Sequence, residues 1–444
     1  MKKTTGPALP QLSRRVESVH ISPTVATAAR ATLLRASGRE VLDFSVGEPD
    51  QGTPERIRRA ASDAMNRGET RYVPSLGVPA LRKAVADRYR ADDSVSFDPS
   101  EVAITLGGKQ AYALACEAIL DPGDEIVIPT PFWPTFSEAP RLVGGRALFA
   151  PLDPKRGFEF DPDIILKKVG KKTRALVINS PSNPTGAIVS QKAMVEMAGF
   201  LKRKAPRAFL IYDDTYARLR FVDSSPQMLP RVREILGDNL MITGTASKTY
   251  CMTGWRIGWL LASRAVIQGA AALISHQTQC ANSFAEHGAI EALSGPQDFV
   301  CELVAEYRVR RDLVVGALAA MPGVSCHSPA GAFYAFPDIR RLLSKDVPDA
   351  LTFAARLLDE RGVAVVAGEG FGCPGFIRIS FARSQAELRA GLAKLAAFVD
   401  SVAPKTIAPK THAAKTHAAK THAAKTPAAK APARPHPAVL KARP

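Results

Sequence analysis

The chain has 444 residues, is 46% hydrophobic and carries a formal net charge of +17, so it can bury more than one core and two domains are expected. No apolar run is long enough to span a membrane, and the basic start Met1-Lys2-Lys3 lacks the apolar stretch of a secretory signal. Six cysteines (Cys116, Cys251, Cys280, Cys301, Cys326, Cys373) lie scattered with no metal-like pair, which argues against a disulfide scaffold and predicts free buried thiols in the reducing cytoplasm.

From about residue 52 to about residue 320, short apolar runs alternate with helical stretches, the pattern of a doubly wound, mostly parallel α/β sheet. Val102 to Leu106 reads as a strand that leads through Gly107-Gly108-Lys109-Gln110 into an apolar helix from Ala111 to Leu120. A glycine turn opening a helix presents free backbone N–H groups to an anion, although a bare Gly-Gly turn carries little weight alone.

Ala175 to Asn179 is another buried strand, followed by Ser180-Pro181-Ser182-Asn183-Pro184-Thr185-Gly186. Its prolines and glycine make a stiff turn that holds Asn183 at the strand's carboxyl end. The run Ala208 to Tyr212 ends in Asp213-Asp214-Thr215-Tyr216. Ligands of open parallel sheets sit beyond the carboxyl ends of the strands, which places Asp213 well. Elsewhere an Asp-Asp pair is usually a loop or a helix cap.

The segment Thr245-Ala246-Ser247-Lys248, followed by Thr253-Gly254-Trp255-Arg256-Ile257-Gly258, carries the most information. Lys248 lies between two buried-strand runs, Asn239 to Ile242 and Ile257 to Ala262, where an idle ammonium would be costly. Its amine can condense with an aldehyde, while the neighbouring hydroxyls and the Arg256 guanidinium hold a phosphate ester. An aldehyde bearing a phosphate describes pyridoxal 5'-phosphate (PLP). Chemistry at a substrate alpha carbon needs the pyridine nitrogen protonated, and Asp213 offers the carboxylate for it. Tyr216 and Asn183 can hydrogen-bond the ring oxygen, and the Gly107-Gly108 turn becomes a phosphate cradle.

Beyond Met321, Gly331 to Phe336 and Phe376 to Phe381 read as strands, and Ala386 to Val399 as a closing amphipathic helix. Residues 52–320 would form the large domain, with residues 1–51 as an N-terminal arm that also contributes to the smaller α+β domain of residues 321–402, so that this domain is built from both chain ends. Arg378 alternates with Ile377 and Ile379, an inward-facing context rather than that of a surface arginine on an edge strand. From Lys405 a five-residue unit repeats, including three copies of Lys-Thr-His-Ala-Ala. Residues 403–444 read as a disordered basic tail that contributes +9 of the +17 charge. Weak, salt-sensitive polyanion or nucleic-acid binding is one role for it, and a purely solubilising tail is the other.

Jointly these residues resemble the class I/II aminotransferases of PLP fold type I, most of all the bacterial aspartate and prephenate subgroup. The likeness runs through Asp43 to Asp50, Thr70-Arg71-Tyr72, Gly107 to Ala111, Trp133, Asn179 to Gly186, Asp213 with Tyr216, Ser247-Lys248 with Arg256, and Phe376 to Ser380. It implies a seven-stranded, mostly parallel sheet in the large domain. It also implies that Lys248 is the Schiff-base lysine and proton shuttle, that Asp213 pairs with the pyridine nitrogen, and that Asn183 and Tyr216 bind the ring hydroxyl. Gly108, Thr245, Ser247 and Arg256 would hold the phosphate, joined by Tyr72 of the other subunit in an obligate homodimer. Trp133 would stack on the ring, and Arg378 would clamp the substrate alpha-carboxylate with the backbone at Gly47.

Lys109 resembles the group that pairs with the distal carboxylate of aspartate, glutamate or prephenate, set against a helix-capping or solvent-facing lysine. Phe132 and Pro134-Thr135-Phe136 depart from the subgroup and make room for aromatic or cyclohexadienyl substrates. Two other readings share this core. A PLP-binding transcription regulator would need a helix-turn-helix module, and a fold type I lyase would share Lys248, Asp213 and Arg378.

Overall fold

Burial on both faces makes the central strands of a wound sheet near-continuous apolar runs, and among the described residues the main sheet has seven strands, the inner ones largely buried. The structure, a computed structural model, describes residues 12–222 and 228–404. In chain order the strands are β1 (Leu42–Asp43), β2 (Val102–Thr105), β3 (Glu125–Thr130), β4 (Arg146–Pro151), β5 (Thr173–Asn179), β6 (Phe209–Asp213), β7 (Leu240–Thr245), β8 (Gly258–Leu261), β9 (Tyr334–Ala335), β10 (Val363–Ala364), β11 (Val366–Ala367) and β12 (Ile377–Ser380). The main sheet has the order β2-β8-β7-β6-β5-β3-β4. β8 runs antiparallel to β2 and β7, and every other pairing is parallel.

Alternate side chains of these strands feed two separate cores. Ile104, Val127, Leu176, Leu210 and Ile242 pack on one face, and Ala103, Ile126, Val177, Ile211 and Met241 on the other. The register then assembles a polar edge. Asn179 on β5 lies opposite Asp213 on β6, and Asp213 opposite Thr243 on β7. Gly258 on β8 pairs with both Thr105 and Thr245. A Cβ there would lie 2.5 Å from the Gly107 carbonyl carbon, so glycine lets the turn after β2 approach the end of β7.

A second sheet has the order β11-β12-β9, antiparallel throughout, and packs on Phe333, Phe353, Phe381 and Phe398. β1 pairs in parallel with β10, which ties the N-terminal segment to this part of the chain. Helix Gln385–Val402 closes it, started by a capping box between Ser384 and Glu387. The strand expected over residues 331–336 shrinks to the two residues of β9. β12, which carries Arg378, is the central strand of its sheet and not an edge.

The cysteines are free, but only Cys116 and Cys251 are buried, and Cys301 is exposed. Cys301 stands beside, not on, the buried stripe Val300, Leu303, Tyr307 and Val314 of helix Asp298–Ala320, which corrects the expectation of uniformly buried thiols. Among the described residues no helix is long and apolar enough to cross a membrane. The N-terminal residues weighed as a signal and the tail from Lys405 lie outside the described residues.

Candidate active site

One cavity of about 250 Å3 is lined by Gly47, Gly108, Lys109, Trp133, Asn183, Asp213, Tyr216, Thr245, Ser247, Lys248, Arg256 and Arg378. Asp213, Thr245 and Arg378 come from strands of the two sheets, Gly108 and Lys109 from the start of helix Gly108–Ile119, and the others from the segments that follow or connect the strands. Tyr72 is the exception. It is 84% exposed, on the stretch between helices Glu55–Asn66 and Pro79–Asp93, and does not line this cavity of its own chain.

Asp213 closes β6 and is 2% exposed. Its Oδ1 accepts from Asn179 Nδ2 at 2.9 Å and its Oδ2 from Thr243 Oγ1 at 3.0 Å. Burial pushes this carboxyl above the ordinary carboxylate range, and the donors from Thr243, Thr215 and Asn179 pull it partly back. Such a group is a pre-oriented acceptor whose anionic form gains from a cation placed beside it. Asp214 faces elsewhere. It accepts from the Tyr89 hydroxyl, which accepts in turn from Trp259 Nε1 at 3.1 Å, so its role is a buried structural one.

Lys248 follows β7, partly buried, with its Nζ donating to the Gly47 carbonyl at 2.8 Å. Burial lowers its ammonium from the ordinary 10.5 to about 8, and the cations Arg256, Arg378 and Lys109 act in the same direction while Glu48 opposes them. An amine in that range is available as a nucleophile and a base near neutral pH. Cys251, three residues on, is buried and its thiol is pushed up to about 12, as expected of packing rather than chemistry.

Beside the lysine, the hydroxyls of Thr245 and Ser247 lie 2.8 Å apart. Arg256 takes a left-handed backbone (φ 56°), and its guanidinium is fixed on the carbonyls of Thr253 (2.8 Å) and Leu106 (3.0 Å). Gly107, also at positive φ, sits under that guanidinium, and a Cβ on it would lie 2.5 Å from Arg256 Nη2. Two hydroxyls, a guanidinium and the N-terminus of a 12-residue helix therefore converge at one end of the cavity. That is donor chemistry for a phosphate ester.

At the other end stands Arg378, 2% exposed. Its Nη1 donates to Asn183 Oδ1 at 3.0 Å and its Nη2 to the Ser45 carbonyl at 2.5 Å, while its Nε has no protein partner. Tyr334 and Phe371 rings lie 4.5 and 5.0 Å from the guanidinium carbon. A buried, clamped guanidinium with an unused N–H is a carboxylate receptor. The Tyr216 hydroxyl is held 2.8 Å from that of Tyr334.

Lys109 remains exposed where the cavity opens, its Nζ 5.5 Å from the Trp133 ring centre. Desolvation and the charge of Arg256 lower its ammonium. Beyond it lies a larger cavity of about 860 Å3 that also touches Lys109 and Arg256 and is walled by Phe132, Phe149, Leu142 and Ile21. Phe132 and Phe149 stack there with ring centres 5.1 Å apart.

Several site residues had no role assigned from sequence. Asn179 donates to Asp213 and also accepts from the Asn183 N–H at 2.8 Å, and Thr243, Tyr334 and Glu48 act on Asp213, Tyr216 and Lys248. Ser22, Thr24 and Val25 of the N-terminal segment form part of the cavity wall. A polar residue closing an apolar run, as Asn179 does, was the available signal.

The model for the family of class I and II aminotransferases matches residues 39–395. Aspartate aminotransferase of Rhizobium meliloti is 36% identical over 404 residues, covering 88% of this chain and 97% of that protein. Aspartate/prephenate aminotransferase of Cereibacter sphaeroides is 36% identical over 393 residues, covering 87% of this chain and 98% of that one. The structure of aspartate aminotransferase from Thermus thermophilus with maleate superposes with a TM-score of 0.82 at 35% identity, covering 88% of this chain and 100% of the other. With a family match over most of its length and relatives of this similarity, the chain belongs to the class I and II aminotransferases.

Proposed function

We propose that the cavity binds PLP and that the enzyme moves the amino group of an acidic amino acid, aspartate or glutamate, to a 2-oxo acid in two half-reactions. The observation that carries this reading is Lys248, its amine lowered to about 8, in one cavity with the buried Asp213 carboxylate and the clamped Arg378. The residues fit the cofactor at both ends: Thr245, Ser247, Arg256 and the Gly108 N-terminus suit its phosphate, and Asp213 suits its protonated ring nitrogen. PLP, when bound, supplies the electron sink that lets a proton leave the substrate's alpha carbon.

The chain's own groups do the rest. Arg378 offers its guanidinium to the alpha-carboxylate and so fixes which bond at the alpha carbon faces the ring. Lys248 takes up and returns the proton at Nζ. Asn183 and Tyr216 hold the ring oxygen, and Trp133 covers the ring. Lys109 places an ammonium where a second substrate carboxylate would lie, and the Thermus relative was solved with maleate, a dicarboxylate.

A second reading, prephenate or an aromatic amino acid, is favoured by the apolar cavity beyond Lys109 and by the Cereibacter relative. We further infer a homodimer in which Tyr72 serves the partner's phosphate site, supported by its exposure and its absence from the cavity lining of its own chain. Division into a large lobe over residues 52–320 and a small one over residues 321–402, a cytoplasmic location, and weak polyanion binding by the basic tail complete the proposal.

The full-length protein supplied with PLP should convert L-aspartate and 2-oxoglutarate into oxaloacetate and L-glutamate, and Lys248→Ala should abolish this. Turnover of prephenate or phenylpyruvate with an amino donor, but not of 2-oxoglutarate, would move the assignment to the second reading. Equal retention on heparin of the full chain and of a chain ending at Val402 would remove the role given to the tail.

A further inference from the structure

The segment bearing Tyr72, residues 67–78, has neither helix nor strand to hold it. Helix Ser283–Ser294 grips it near both ends. At one end the Ser283 hydroxyl donates to the Glu69 carbonyl at 2.8 Å, and His287 pairs with the Glu69 carboxylate. At the other, Glu286 Oε2 accepts from the Val78 N–H at 2.7 Å.

Val78 is the N-cap residue of helix Pro79–Asp93 and has no side-chain cap of its own, so the Glu286 carboxyl supplies the missing acceptor. Gly77, at φ +90°, allows the approach: a Cβ there would strike Ile104 and lie 3.2 Å from Glu286 Oε2. Glu286 is 0% exposed, and its second oxygen, Oε1, has no partner. The same helix passes Trp255, the neighbour of Arg256, at Gly288, where a Cβ would lie 2.5 Å from the indole.

We propose that helix Ser283–Ser294 is a clasp that holds the Tyr72 segment in the conformation the partner subunit's phosphate site requires, with Glu286 as its positioning residue. This rests on the reading of Tyr72 as a phosphate ligand across the dimer. The clasp is also sensitive to pH. Burial raises the Glu286 carboxyl to about 7, with the Val78 N–H as the opposing influence. Charged groups on the surrounding elements are paired with one another: Glu69 with His287 and Arg67, Glu291 with Arg56. Deprotonation therefore leaves a buried anion with one bare oxygen, so the clasp loosens progressively as pH rises from 4.5 and is weakest above about pH 7.

The test uses the full-length holoenzyme, its PLP dissociation constant, and amide hydrogen exchange across residues 69–78. Tyr72→Phe should weaken PLP about tenfold, the loss of one charged hydrogen bond. Glu286→Ala should weaken it by a similar factor, and the double variant no more than Tyr72→Phe alone, because Glu286 acts through Tyr72. As pH rises from 4.5 to about 7 the parent should exchange increasingly faster over residues 69–78 than Glu286→Gln and stay faster above pH 7, while below pH 4.5 the two should coincide.

Should Glu286→Ala fail to fold, the Glu286→Gln comparison and Ser283→Ala, which releases the other end, carry the test. If Tyr72→Phe leaves PLP binding unchanged, the reading of Tyr72 falls and the proposal with it. If Tyr72→Phe weakens PLP but the Glu286 loss is absent or fully additive, or exchange matches Glu286→Gln at every pH, the clasp alone is overturned.

Discussion

Arg378 on β12 donates to Asn183 on the turn after β5 at 3.0 Å, joining the proposed substrate clamp of one sheet to the proposed cofactor edge of the other. Together with the bond from Nη2 to the Ser45 carbonyl it spends two of the five guanidinium N–H groups on the protein and leaves three for a ligand, the unpartnered Nε–H among them. Replacing arginine by lysine removes the fork while keeping the charge. Arg378→Lys should lower kcat/KM about a hundredfold for every amino donor, the value of two charged hydrogen bonds, and leave PLP affinity unchanged. Single-turnover rates with aspartate and phenylalanine check this. A loss confined to one donor would contradict the clamp.

Lys109 should act differently, because in the proposed function its ammonium meets the substrate's side-chain carboxylate. Lys109→Met is expected to reduce kcat/KM for aspartate about tenfold or more, with little change for phenylalanine. Parallel assays with the two donors read the ratio directly.

Lys248 ties chemistry to stability. Its folded value of about 8 lies below the ordinary 10.5, so the folded state disfavours the ammonium. That cost is fully present below pH 8 and is relieved as pH rises from 8 to 10.5. Lys248→Met removes it, and the cofactor-free variant should be more stable at pH 7 than the cofactor-free parent by up to about 3 kcal/mol. Urea unfolding at pH 7 and pH 10 measures the difference, which should shrink at the higher pH.

Glu286 has the opposite sign. Its carboxyl is raised from 4.5 to about 7, so the folded state holds a proton that the unfolded chain releases. Stability from this group is present below pH 4.5 and is lost as pH rises to about 7. Glu286→Gln should flatten that part of the stability profile, with a gain over the parent at pH 8 of up to about 3 kcal/mol.

Much of this site was legible because the wound sheet puts its chemistry at strand ends. Asp213, Asn183 and Lys248 each follow a run of buried aliphatic residues, where polarity needs a reason. Arg378 could be read as inward-facing from Ile377 and Ile379, although those two are buried as well and the central place of β12 is what encloses it. Less legible were contacts fixed by register between strands far apart in sequence. Asn179 meets Asp213, and Tyr216 meets Tyr334, only after β5, β6 and β9 are in place. Glu286 was invisible for the same reason: a glutamate on a helix reads as a solvated charge until the segment it caps, 208 positions earlier, is packed against it.

The most direct measurement is an absorption titration of the PLP-loaded protein with L-aspartate or L-glutamate in the absence of any keto acid. The visible cofactor band should fall as the amino group moves to the cofactor, and 2-oxoglutarate should restore it. A band unmoved by acidic amino acids but moved by aromatic ones would contradict the assignment of acidic substrates. A protein that takes up no PLP through Lys248 would contradict the cofactor assignment itself.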